Sequence, residues 1–155
     1  MAIAFTDREM QRAWRENRSA YRCENPKTNA HRLLLFYAVE CGLKAMYMKR
    51  TRKNRSDYCY DERFKQAQHD INKLLDLLAA GNLKLPKLMF ISEIKDDKNK
   101  YEKRQLNLGQ INQMWRYGGK LEKWGDESQQ QSSTDQHLED KLLIICNFIE
   151  QELNR

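Results

Sequence analysis

Proline and glycine are scarce in this chain, two and six respectively among 155 residues. That scarcity suits long helices better than a sheet protein with many turns. Histidine occurs three times, so histidine chemistry has few carriers: His31, His69 and His137. There is no HExxH, no Cys/His cluster with zinc spacing, no phosphate-loop glycine pattern and no GxSxG. Metal-dependent, nucleotide-dependent and serine-hydrolase chemistries therefore lack their usual parts, and neither metal nor cofactor is expected. The four cysteines, Cys23, Cys41, Cys59 and Cys146, form no CxxC pair. They read as thiols of a reducing cytoplasm rather than a disulfide framework. Cys41 and Cys146 sit in apolar contexts and read as small buried hydrophobes. No apolar run approaches membrane-spanning length, and the first residues carry no apolar signal core. The expectation is a cytoplasmic protein with no membrane partner.

What is present is a chain long enough for one domain, residues 1–155, with a real core. Its charge is uneven. Residues 1–60 hold thirteen Lys/Arg against six Asp/Glu, and residues 61–155 hold fifteen against sixteen. The whole net charge of +6 thus comes from the first 60 residues. A localised positive field attracts nucleic acid, an acidic protein surface or an anionic membrane.

Helical signals follow one another along the chain. Thr6-Asp7-Arg8-Glu9 is a capping box, with Phe5 and Met10 spaced as a hydrophobic staple. Met10, Trp14 and Tyr21 mark one face of the first helix, and Arg8, Arg12, Arg15, Arg18 and Arg22 another. Asn25-Pro26 reads as the start of a second helix running to about Arg50. Its stretch Arg32 to Lys49 is apolar nearly all round, the mark of a central buried helix. Ala38, Cys41, Gly42 and Ala45 give it a small-residue side that lets a neighbour approach. Glu40 and Lys44 are one turn apart in the favourable order and read as a structural pair. The run Lys49 to Arg55 then holds five positive charges in seven residues. Part of it complements the negative end of the second helix.

Phe64, Ala67, Ile71, Leu74, Leu75 and Leu78 repeat at helical spacing and predict one third helix from Asp61 to Ala80. Leu83 to Ile94 contains Pro86 and reads as a loop with a short helix. Residues 95–104 read as a mobile charged excursion. Leu108, Ile111, Met114 and Trp115 suggest a fourth helix closed by Gly118-Gly119. Residues 126–134 read as a flexible polar linker. The last helix starts near Thr134 or Asp135, with Leu138, Leu142, Ile145, Ile149 and Leu153 on one face.

Three segments resemble HEPN domains. HRLLLFYAVECGLKA, His31 to Ala45, looks like their second helix. HDINKLL, His69 to Leu75, resembles a common third-helix start. QMWRYG, Gln113 to Gly118, resembles the Trp/Arg-Tyr segment of non-toxin members. The resemblance implies an all-α fold: a single bundle of four to five helices, often dimeric, recurrent in prokaryotic defence and toxin–antitoxin systems. Many members are metal-independent RNases that use an Arg, four to six residues and a His. Arg63 and His69 fit that pattern. On a continuous helix, however, they lie about 120° apart. Arg116 reads as a structural group, with Glu40 as the carboxylate it would pair with.

The expectation is therefore a non-catalytic accessory subunit of a prokaryotic defence or nucleic-acid-processing complex. It has a protein partner or a second copy, and its basic half meets nucleic acid, RNA or DNA, or an acidic protein surface. Lys49, Arg50, Arg52, Lys53 and Arg55 carry that contact, with Arg12 and Arg15 behind them. Glu40, Lys44 and Arg116 form a structural polar core. The alternatives are a metal-independent endoribonuclease using Arg63 and His69, and a purely structural helical adaptor.

Overall fold

The computed structural model describes residues 3–23 and 25–154. Their order is α1 (Asp7–Arg22), α2 (Asn29–Thr51), α3 (Glu62–Ala67), α4 (Ile71–Leu77), β1 (Leu88–Lys95), β2 (Tyr101–Leu106), α5 (Ile111–Arg116), β3 (Leu121–Gly125), β4 (Gln130–Ser132) and α6 (Asp135–Leu153). The Thr6–Glu9 box opens α1: the Thr6 hydroxyl accepts from Glu9 N at 3.1 Å, and the Glu9 carboxylate accepts from Thr6 N at 3.0 Å. The second helix starts later than Asn25-Pro26. Its cap is Thr28, whose N–H donates to the His31 ring at 3.2 Å. At the other end of the chain, the Thr134 hydroxyl caps α6 by accepting from His137 N at 3.3 Å.

The all-α expectation is overturned. The middle of the chain folds into a four-stranded antiparallel sheet, in the order β2-β1-β3-β4. About 57% of the structure is helix and 16% strand, so the class is mixed rather than a helical bundle. The cause is a period-two pattern. Met89 stands opposite Leu106 on one neighbour and Trp124 on the other, and all three side chains are buried. One step along, Phe90 faces Gln105 and Lys123 on the outer side. Pro86 lies before β1, where its missing N–H costs no sheet bond.

The two segments read as flexible, 95–104 and 126–134, lie at the β1–β2 and β3–β4 connections, each built around an aspartate turn. The Asp96 carboxylate accepts from Lys98 N at 2.8 Å and Lys100 N at 3.0 Å, and Asn99 takes the left-handed conformation at φ 63°. Asp126 does the same work between β3 and β4, accepting from Ser128 N at 3.0 Å and Gln129 N at 2.8 Å. Gly125 is required there. Its φ is 158°, and a β-carbon would lie 2.1 Å from the Gln129 carbonyl oxygen.

The single helix expected over Asp61–Ala80 is two. Gln68 breaks it at φ 48°, ψ −111°, and Asp70 caps the second piece by accepting from Lys73 N at 3.1 Å. The apolar stripe survives the break, since Phe64, Ala67, Ile71, Leu74, Leu75 and Leu78 are all buried.

One hydrophobic core joins helices and sheet, running from Trp14 and Phe36 through Leu43, Ile71 and Met89 to Trp124 and Leu142. Helix α2 lies at its centre and touches α1, α4, α5 and α6. Gly42 brings three helices close: a β-carbon there would meet Ile149 of α6 at 2.8 Å and Trp14 of α1 at 2.9 Å. Two buried carboxylates fix α6. Glu139 accepts from Arg32 Nε at 2.9 Å and from the Tyr21 hydroxyl, whose ionisation is pushed up by burial and by this bond. Asp135 accepts from Trp115 Nε1 at 3.0 Å and Leu121 N at 3.1 Å, tying α6 to α5 and β3.

Candidate nucleic-acid interface

Two basic segments far apart in sequence meet at one corner. The chain leaves α2 through Arg52, which takes the left-handed conformation at φ 55°, ψ 41° and turns the backbone away. The loop that follows is anchored from below. Cys59 is buried with Met48 and Phe64, and Tyr47 stacks on Phe64 with ring centroids 4.9 Å apart. Burial raises the Cys59 thiol pKa, so at neutral pH it is an apolar anchor rather than a nucleophile.

The segment preceding α1 then clips onto this loop. Ser56 N donates to the Phe5 carbonyl at 2.7 Å, Phe5 N to Ser56 Oγ at 2.8 Å, and Asp7 N to the Asn54 carbonyl at 3.2 Å. Thr6 and Arg55 form an isolated antiparallel bridge. The start of α1, with exposed Arg8, Arg12 and Arg15 along it, is thus fixed beside exposed Arg52 and Arg55 and half-buried Lys53.

The basic run divides by role. Arg50 is a structural tether. Its fork donates to the Glu152 carboxylate at 2.6 and 2.7 Å, and its third nitrogen to the Leu78 carbonyl at 2.7 Å. Lys49 donates to the Glu152 carbonyl at 2.7 Å. These bonds join the ends of α2 and α6 and the turn after α4. Arg18, on α1, likewise folds onto α6 through Glu150 at 3.0 Å. The outward cations are different. No hydrogen bond or ion pair engages the Arg52 side chain among the described residues. Lys53 Nζ sits 5.7 Å from the Tyr60 ring centroid. Arg55 pairs with Asp57 at 2.7 Å and lies 4.7 Å from the Tyr58 centroid. The Asp57 bond raises the Arg55 pKa and partly offsets its charge.

The expected polar groups of the core separate. Glu40 is buried. One of its oxygens accepts from Lys44 Nζ at 3.0 Å, and the other lies 2.7 Å from His69 Nδ1. His69 therefore joins the Glu40–Lys44 pair, linking α2 to the start of α4. Arg116 is not part of this group. It is exposed and donates to the Tyr37 hydroxyl, not to Glu40. Nor does the structure join Arg63 to His69. Arg63 is held by Asp61 at 2.8 Å, a contact that lowers the Asp61 pKa. Beside Glu40, burial and then the carboxylate push the Cys41 thiol up to about 11. Among the described residues no group of three His, Cys, Asp or Glu side chains is placed to hold a metal ion.

Sequence reasoning missed the aromatic part of the corner. Phe5, Tyr58 and Tyr60 are all exposed there. The signal was the Tyr-Cys-Tyr triplet two residues after the basic run, with an inward residue between two outward ones. Comparison of the chain with family models, curated proteins and solved structures returned no match. No helix among the described residues is long and apolar enough to cross a membrane.

Proposed function

We propose that this protein is a non-catalytic, nucleic-acid-binding subunit of a prokaryotic defence or nucleic-acid-processing complex, with the basic corner as its contact surface. The observation that carries the reading is the backbone clip between Phe5 and Ser56, which holds the start of α1, with exposed Arg8, beside the loop of Arg52, Lys53 and Arg55. Preorganised cations bind phosphates without first having to order a loop. The place in a defence complex rests on the likeness of residues 31–45, 69–75 and 113–118 to HEPN domains. The first two of these segments are in contact through the Glu40–His69 bond.

Phosphate contact has a salt signature. Each neutralised phosphate contributes about −0.7 to −0.9 to the slope of log K against log salt. Three to five contacts, from Arg52, Lys53, Arg55 and the exposed α1 arginines, give a slope of about −2 to −4.5. Fluorescence anisotropy of labelled oligonucleotides across a salt series measures it. Salt-insensitive binding, or none, removes the reading.

RNA cleavage is a second reading, supported by His69 alone. The buried Glu40 carboxylate holds Nδ1, the imidazole is half exposed, and Nε2 has no hydrogen-bond partner among the described residues. That arrangement suits an acid/base group. It predicts metal-independent cleavage that is abolished in His69→Ala, and intact RNA after long incubation in EDTA rejects it.

A further inference from the structure

We infer that the corner binds nucleic acid as a single strand, held by its bases as well as its phosphates; this rests on the proposed function above. Three aromatic rings stand exposed among the cations: Phe5 at 45%, Tyr58 at 39% and Tyr60 at 66%. A small apolar cluster of Met48, Cys59 and Phe64 lies directly beneath, yet these rings do not enter it. Cys59 is buried and pins the backbone just after a 3-10 turn over Ser56–Tyr58, while its neighbours Tyr58 and Tyr60 stay exposed.

Each tyrosine also has a cation at its ring, Arg55 at Tyr58 and Lys53 at Tyr60. A cation covers one face of a ring, and the exposure of Tyr60 keeps the other face in water. A ring braced on one side and open on the other is a platform for a flat, polarisable partner. Nucleobases fit that description, and stacking on aromatic side chains tolerates any base. In a duplex the base faces are already occupied by neighbours in the stack. Only an unpaired strand offers them together with its phosphates.

Nearby acids limit the alternatives. Asp57 is bonded to Arg55 and Asp61 to Arg63, so neither is an isolated negative charge facing the ligand. Glu9 is committed to the α1 cap. Asp7 and Glu16 of α1 remain, but Arg8, Arg12, Arg15, Arg52 and Lys53 outnumber them, so the net field on this side is positive.

The test uses the full chain and fluorescence anisotropy with labelled oligonucleotides of roughly 12 nucleotides: a single-stranded DNA, a single-stranded RNA and a duplex of matched sequence. Single strands should bind about ten-fold or more tightly than the duplex. The double variant Tyr58→Ala/Tyr60→Ala should weaken single-strand binding about ten-fold or more and leave duplex binding unchanged, because stacking on two rings is lost. Tyr58→Phe/Tyr60→Phe should bind like the parent, since the platform remains. Equal affinity for duplex and single strand, with no effect of the alanine variant, overturns the inference while leaving the basic interface intact. Failure to bind any of the three overturns both, and leaves an acidic protein surface as the partner.

Discussion

A methyl group added at Gly42 sets two opposing effects against each other. Alanine is the better helix former, worth about 1 kcal/mol over glycine in a helix interior. Against that, the new β-carbon would lie 2.8 and 2.9 Å from Cγ2 and Cδ1 of Ile149, and 2.9 Å from Cε3 of Trp14. Neither neighbour can retreat easily. Ile149 is fully buried and β-branched, and Trp14 is buried with Arg18 stacked on its ring. Overpacking of a core costs about 1–3 kcal/mol, and three short contacts from two different helices put this site in the upper part of that range. The net expectation for Gly42→Ala is a loss of about 1–2 kcal/mol, because strain exceeds propensity. For a domain of this size that lowers the Tm by roughly 2–8 °C. Urea and thermal unfolding followed by far-UV circular dichroism measure both quantities. Adding Ile149→Val removes one of the three offending atoms, so the double variant should be less destabilised than the sum of the singles. A Gly42→Ala protein as stable as the parent would refute the close three-helix approach.

Three further outcomes are expected. Glu139→Ala strands Arg32 and the Tyr21 hydroxyl at the junction of α1, α2 and α6, and should cost about 3 kcal/mol in urea unfolding; a loss under about 1 kcal/mol contradicts that role. Arg50→Ala should destabilise by about 1 kcal/mol while leaving the salt slope of nucleic-acid binding unchanged, whereas Arg52→Ala should leave stability unchanged and reduce the slope by about 1; reversed behaviour refutes the division between tether and contact. The thiols give the pH dependence. Burial raises Cys41 to about 11 and Cys146 to about 12, from an ordinary value of 9.0, so the folded state favours their protonated forms. That contribution is complete below pH 9 and fades as the pH climbs through 11 and 12. Alkylation near pH 8 should mark exposed Cys23 well before either, as read by peptide mass spectrometry; equal labelling overturns it.

The starts of the first and last helices were legible because their chemistry is local. Thr6 with Glu9, and Thr134 ahead of the α6 stripe, announce themselves within four residues. The central role of α2 was legible from its lack of a polar face. The sheet was not, because its strands are short and half polar. Leu121 to Gly125 buries only Leu121 and Trp124 fully, and Gln130 to Ser132 buries nothing. Their identity comes from pairing across the sheet, as when Met89 meets Leu106 and Trp124, and that pairing is not written in any one strand. The turns also lack an Asn-Gly signature and use aspartate side chains instead. The break at Gln68 was hidden because the apolar stripe runs through it, although Asp70 before Ile71 is a usable capping signal. At the corner, charge was legible and division of labour was not. Nothing near Arg50 in sequence indicates that its carboxylate lies about a hundred residues away at Glu152.

The two outermost strands of the sheet have a bearing on how the protein behaves when crowded. An unprotected strand edge invites a neighbouring molecule to add its own strand, the first step toward fibrils. Here one edge, β4, offers only three residues. The other, β2, is flanked by the charged Asp96–Lys100 turn and carries Glu102, Lys103 and Arg104. Neither gives an incoming strand a long, uncharged template, so concentrated solutions should remain free of thioflavin-positive polymer.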